Sequence, residues 1–175
     1  MALYYITGIS GSGKSLVRSE LLKRGYEAFG TDEDALAYFY HNETGEPIKN
    51  YLTSEERTPE WRKNHSWKLL RSTVENLAQS AQDRKVFLCG TVANDADELW
   101  DLFTKVFALT INEDTLRNRI INRTSNDFGK SSHEMASILE WQRSAESDYK
   151  KLGATIIDAT RSVNKVIDDI LEQVK

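Results

Sequence analysis

The sequence predicts an α/β protein built on a doubly wound, mostly or wholly parallel sheet. Two observations carry this prediction. Five short apolar runs alternate with helical segments along the chain. The first run also ends in a glycine-bounded loop that opens directly into a helix. At 175 residues the chain fits one domain, 1–175, with a substantial core.

The first strand is the apolar and aromatic run Leu3 to Ile6. It leads into "GISGSGKS", where Gly8, Gly13, Lys14 and Ser15 complete the phosphate-binding pattern G-x-x-x-x-G-K-[ST]. Glycines let the backbone turn its amides inward. A phosphate there meets N–H groups, the positive end of the following helix and the Lys14 ammonium, with Ser15 placed to hold magnesium. Gly8, Ser10, Gly11, Ser12, Gly13, Lys14, Ser15 and Leu16 are therefore assigned to nucleotide binding. The helix continues through Val17 and Leu21, and Gly25 ends it.

Four further strands are expected in "YEAFGT" from Tyr26, "KVFLCG" from Lys85, "KVFALT" from Lys105 and "ATIID" from Ala154. Ligands of such sheets bind beyond the carboxyl ends of the strands. That rule selects Gly8 to Ser15, Asp32 to Asp34, Gly90 to Asn94 and Asp158 to Arg161.

The interval 33–84 is too long for a plain crossover helix. Thr58 and Pro59 form a helix start, and Trp67, Leu70, Val74, Leu77 and Ala81 recur at helical spacing. One helix from Pro59 to Ala81 is predicted, approached by a loop containing Gly45 and Pro47. After the fourth strand, Asn112 caps a helix that puts Arg119 and Arg123 one turn apart on a shared face. The pattern breaks at "TSNDFGKSS" and resumes in a helix from His133. Two helices joined by a polar turn suit a lid, 112–150.

Composition narrows the function classes. Hydrophobic residues at 39% and charged residues at 29% are ordinary for a soluble chain, and a net charge of −4 argues against nucleic acid as partner. No apolar run reaches the roughly 18 residues of a membrane span, and no basic-then-apolar leader opens the chain, so a cytoplasmic protein without membrane association is expected. Cys89 lies in "VFLCG" and is expected in the core, while His41, His65 and His133 are too scattered for a metal site. An Asn-Lys-x-Asp guanine motif is missing, and no strand ends in Asp-Glu. Both absences count against GTPases and remodelling ATPases.

In the order of its parts the chain resembles the small P-loop kinases, which include nucleoside monophosphate kinases, nucleoside kinases and shikimate kinase. The likeness spans nearly the whole sequence. It rests on Gly8 to Ser15, on Asp32 and Asp34 after the second strand, on Gly90 after the third, on "LRNRIINR" at Leu116 to Arg123, and on "IIDATRSVNKVIDDIL". In closest detail it is similar to kinase-like ATPases with an "NDFGK" lid. The resemblance implies a three-layer αβα P-loop NTPase fold with strand order 2-3-1-4-5 and a helical lid. It also implies ATP on the loop, adenine near Ala159, Thr160 and Arg161, and Arg119 and Arg123 closing over the phosphates. Such enzymes act by positioning and charge neutralisation.

Cys89-Gly90-Thr91 and "NRTSNDFG" depart from the glycine triplet and Arg-Pro motif of shikimate kinase, which counts against shikimate as acceptor. An acceptor site is expected to draw on Gly90, Thr91 and the interval 33–84, where Arg57, Arg62, Lys63, His65 and Arg71 suit an anion and Tyr51, Trp61 and Trp67 suit a ring; the alternative for any one of them is a solvated amphipathic helix with its tryptophans in the core. Asp32 is either a ligand to magnesium-bound water or a solvated cap, and Asp34 either orients or deprotonates an acceptor hydroxyl or is a first-turn carboxylate. Arg119 and Arg123 either meet phosphate or pair with Glu113 or Asp127 at the surface. Lys14, Asp34, Arg119 and Arg123 form the catalytic set of this reading, with ATP and magnesium as cofactors. A hydroxylated or phosphorylated metabolite, nucleoside- or nucleotide-like, is the acceptor, and the protein is a monomer or homodimer. The alternative is a non-catalytic ATP-binding module whose closure presents a surface to another protein. A polynucleotide end-kinase is disfavoured by the acidic balance.

Overall fold

The computed structural model describes residues 2–50, 52–81 and 84–174. Its centre is a five-stranded sheet of β1 (Leu3–Thr7), β2 (Glu27–Gly30), β6 (Val86–Cys89), β7 (Lys105–Thr110) and β8 (Thr155–Asp158). The strands lie in the order β2-β6-β1-β7-β8, and every pairing is parallel. Counted along the chain as five core strands, this is the expected order 2-3-1-4-5.

Alternation along each strand feeds two cores, as a sheet covered on both faces requires. Tyr4, Ile6, Phe87, Cys89, Phe107 and Leu109 pack one face against helices α1 (Lys14–Lys23), α4 (Glu113–Asn122), α5 (Ser132–Lys151) and α6 (Val163–Glu172). Leu3, Tyr5, Val86, Leu88, Val106 and Ala108 pack the other face, against Val74 and Ala78 of α3 (Arg71–Ser80) and Leu99 of a π-helical turn, Asp95–Leu99. The three-layer αβα arrangement follows. Cys89 is a buried core residue, as expected, and burial pushes its thiol pKa up.

The interval 33–84 corrects the predicted helix Pro59–Ala81. Thr58 does cap α2 (Pro59–Asn64), its side chain accepting from the Trp61 amide, but α2 stops after six residues. The chain then extends as β5 (His65–Leu69) before α3 begins. β5 pairs antiparallel with β3 (Ala37–His41), which also pairs with β4 (Pro47–Ile48), giving a second sheet in the order β4-β3-β5. The missed partner is the reason. Trp67 lies opposite Phe39, their rings 4.9 Å apart, and this cross-strand contact overrides the helical spacing of Trp67, Leu70 and Val74.

A second correction concerns α4. Asn112 caps it through the Thr115 amide at 2.9 Å, but it ends at Asn122, and Arg123 is extended at φ −71, ψ 146. Arg119 and Arg123 therefore do not share a helix face. Leu116 and Ile120 are fully buried beneath α4, each contributing about 2 kcal/mol of apolar burial, which holds Arg119 at a set height over the sheet. Among the described residues no helix is long and apolar enough to cross a membrane.

Candidate active site

The first strand delivers the chain to its carboxyl edge at Gly8, where the backbone turns at φ +142 and a Cβ would meet the Leu109 carbonyl at 2.5 Å. Gly13 opens α1 in the left-handed region at φ +108. Only glycine adopts both conformations without strain. Between them the loop 8–15 curls around the Lys14 ammonium, which donates to the Gly8 carbonyl at 2.6 Å and to that of Ile9 at 3.0 Å. Burial brings the Lys14 pKa down to about 8. The nearby Asp32 carboxylate opposes this, while Arg123 adds to it.

Arg119 reaches the loop from α4, donating to the Ser12 carbonyl at 3.0 Å and to that of Ala159 at 2.8 Å. Arg123 reaches it from the turn that follows, donating to the Ser10 hydroxyl at 3.1 Å and to the Phe128 carbonyl. Burial lowers the pKa of both guanidiniums. Among the described residues none of Lys14, Arg119 and Arg123 forms a salt bridge; their partners are neutral oxygens. The Ser12 hydroxyl and the Arg123 Nε are buried with no hydrogen-bond partner among the described residues. Ser15 and Leu16 are exposed at the start of α1.

Asp32 and Asp34 leave β2 at the same edge but diverge. Asp32 accepts from the Thr31 hydroxyl at 2.9 Å and the Asn126 amide at 3.3 Å, and its charge bears on Lys14 and Arg123. Asp34 turns away to Arg18, at 2.8 Å, and accepts from the Gly30 amide at 2.7 Å. Thr91 donates its hydroxyl to the Gly8 carbonyl, and Gly90 packs so tightly that a Cβ would lie 2.2 Å from the Thr31 side chain. Thr160 is held in a turn by Asp158, and Arg161 pairs with Asp169 of α6.

The candidates of the long interval are placed elsewhere. Arg57, expected to meet an anion, is only 5% exposed and pairs with Glu134 at 3.0 Å and Asp127 at 2.9 Å. Burial works against its charge, but these two carboxylates more than offset that and raise its pKa. Arg62 pairs with Glu134 at 3.2 Å and lies over the Phe128 ring. Arg71 pairs with Asp101 and Glu75 at the surface. Trp61 stacks on His65 at 4.2 Å, and Lys63 is exposed. Tyr51 lies outside the described residues. Sequence spacing did not select Arg18, Ser54 or Glu134. Arg18 stands one helical turn after Lys14, a usable signal, whereas nothing local marks Glu134.

No protein-family model matches the sequence, and no curated protein matches it. Solved structures do. A shikimate kinase from Acinetobacter baumannii, in complex with shikimate, has a TM-score of 0.62 at 15% identity, covering 99% of this chain and 93% of that one. A deoxyadenosine kinase from M. mycoides with bound dATP has a TM-score of 0.58 at 16% identity, covering 98% of each chain. A sugar kinase from Janibacter sp. HTCC2649 has a TM-score of 0.57 at 20% identity over 98% of this chain and 93% of that one. With its loop 8–15, its parallel sheet and its helix order, the chain has the fold of the small P-loop kinases.

Proposed function

We propose that the protein is an ATP- and magnesium-dependent kinase that phosphorylates a small hydroxylated metabolite. The observation that carries this reading is the convergence of Lys14, Arg119 and Arg123 on one glycine loop, with no carboxylate among the described residues in a salt bridge to any of them. Three such cations, all of them partly desolvated and drawn from α1, α4 and the turn after α4, suit a polyphosphate. The Ser12 hydroxyl and Arg123 Nε, buried without hydrogen-bond partners among the described residues, are further donors such a ligand would satisfy.

In this reading Lys14 leaves the Gly8 and Ile9 carbonyls for the β and γ phosphates, and the amides of residues 10–15 hold the remaining oxygens. Arg119 and Arg123 neutralise charge on the transferring group. Ser15 and Asp32 are the residues that would hold magnesium, which when bound supplies charge neutralisation across the phosphates. Thr160 and Arg161 border the adenine side, where Ala159 already meets Arg119. The acceptor hydroxyl enters between the Asp32–Asp34 turn, Gly90, Thr91 and the acceptor-side interval 33–84. Asp34 orients it, acting with Arg18 as a pair. The solved kinases named above act on different acceptors, so the fold leaves the choice among nucleosides, sugars and acids to the side chains of that interval.

The test is ADP release from MgATP across a panel of nucleosides, nucleotides, sugars and hydroxy acids, beside ATP binding by calorimetry. Acceptor-dependent ADP release that Lys14→Ala abolishes supports the kinase. Tight ATP binding without any acceptor-dependent turnover favours the binding module.

A further inference from the structure

The turn Asn126 to Lys130 faces two ways. Toward the loop 8–15, the Phe128 carbonyl accepts from Arg123, and the Asn126 amide donates to Asp32 at 3.3 Å. Toward the acceptor-side segment 52–62, Asp127 accepts from Arg57 at 2.9 Å and from the Ser54 amide. The Phe128 ring lies near-parallel to Trp141, at 6.4 Å, and under the Arg62 guanidinium, at 4.6 Å. Behind the turn stands Glu134, 0% exposed, which accepts from the Gly129 amide at 2.8 Å, Arg57 at 3.0 Å, Arg62 at 3.2 Å and the Ser54 hydroxyl.

We propose that Asp127, Glu134 and Arg57 form a latch through which the acceptor-side segment 52–62 positions Arg123 over the phosphate loop. The role of Arg123 at the phosphates rests on the kinase reading; the latch itself rests on these contacts. Two guanidiniums and two carboxylates balance in a largely buried cluster, so removing one leaves an uncompensated charge. Such a cluster is either formed or broken, and it does not slide. While it is formed, segment 52–62 and the turn move as one body. A displacement of the segment therefore carries the Phe128 carbonyl, and with it Arg123. Asp127, Glu134 and Arg57 are positioning residues, acting through Arg123 and touching no substrate.

Hydrogen exchange on the full chain tests this without any acceptor. Asp127→Asn, made on the turn, is expected to speed exchange at residues 52–57 by about tenfold or more, with the amides of β1 and β6 unchanged. Acceleration confined to 126–130 overturns the latch. With MgATP as probe, wild-type protein is expected to gain protection at 52–62 and 126–130 together, and Asp127→Asn at 126–130 alone. Equal protection of both segments in the variant also overturns it. A merely structural role is separated by kinetics: Asp127→Asn should lower turnover of MgATP about tenfold while ATP affinity changes less than about twofold, and Asp127→Glu should recover part of the loss. If wild-type protein binds no ATP, the kinase reading fails, and exchange at 52–57 still decides the latch.

Discussion

The Lys14 ammonium donates to the carbonyl of Gly8 at 2.6 Å, folding the side chain back over the first residue of its own loop. An ammonium whose hydrogen bonds, among the described residues, all go to neutral carbonyls exchanges them for phosphate oxygens at little cost. Lys14→Ala is thus expected to keep the circular dichroism spectrum of the wild type, weaken ATP binding about 10- to 100-fold by loss of a charge-assisted hydrogen bond, and abolish turnover. Wild-type affinity in calorimetry would sink the assignment.

The same burial makes nucleotide binding depend on proton uptake. With its pKa lowered from 10.5 to about 8, Lys14 is largely neutral above pH 8 in the free protein and must be charged against phosphate. ATP binding near pH 9 should therefore take up about one proton, measured by calorimetry in buffers of different ionisation enthalpy. Lys14→Met should remove that uptake. The sign for folding is opposite: the unfolded chain holds the proton up to about pH 10.5, so this group's destabilising effect, full below pH 8, is relieved as pH rises from 8 to 10.5.

Arg119 binds two carbonyls, that of Ser12 in the loop 8–15 and that of Ala159 just after β8, and Arg123 holds the Ser10 hydroxyl. Arg119→Ala and Arg123→Ala are each expected to lower kcat about 100-fold, with ATP affinity falling less. Steady-state kinetics beside equilibrium binding checks this, and a loss in affinity alone would assign the arginine to ground-state binding.

Asp32 and Asp34 should separate experimentally because they face different partners. Asp32→Asn is expected to raise the magnesium concentration for half-maximal rate several-fold with acceptor KM unchanged. Asp34→Asn and Arg18→Met should each lower acceptor kcat/KM, and the double variant should be no worse than either alone, since the two act as a pair at 2.8 Å. Additive losses would show that they work independently.

Glu134 is the strongest stability prediction. Glu134→Ala leaves buried Arg57 and half-buried Arg62 without their shared carboxylate, Arg57 keeping only Asp127, and should cost about 3 kcal/mol, read as the shift of a denaturant unfolding midpoint. A change below about 1 kcal/mol would mean water reaches the cluster.

The sheet and the loop 8–15 were legible because their determinants are local. Glycine spacing, a buried apolar run and the following helix lie within twenty residues of each other, and parity along each strand already assigns its residues to two faces. The stretch "TSNDFGKSS" marked the end of α4 to within two residues, but not that Arg123 would already leave the helix and reach the loop from the turn instead of from the helix face. Tertiary structure alone decided the interval 33–84. β3 and β5 specify each other only once paired, and a tryptophan recurring at helical spacing looks the same on a strand until Phe39 stands opposite it. It alone also decided which arginines are committed. Arg57 and Glu134 are 77 residues apart, and charge on a sequence does not say whether it will be solvated, paired or turned toward a ligand. That outcome depends on burial and on the distance to an opposite charge, and both exist only after the chain has folded.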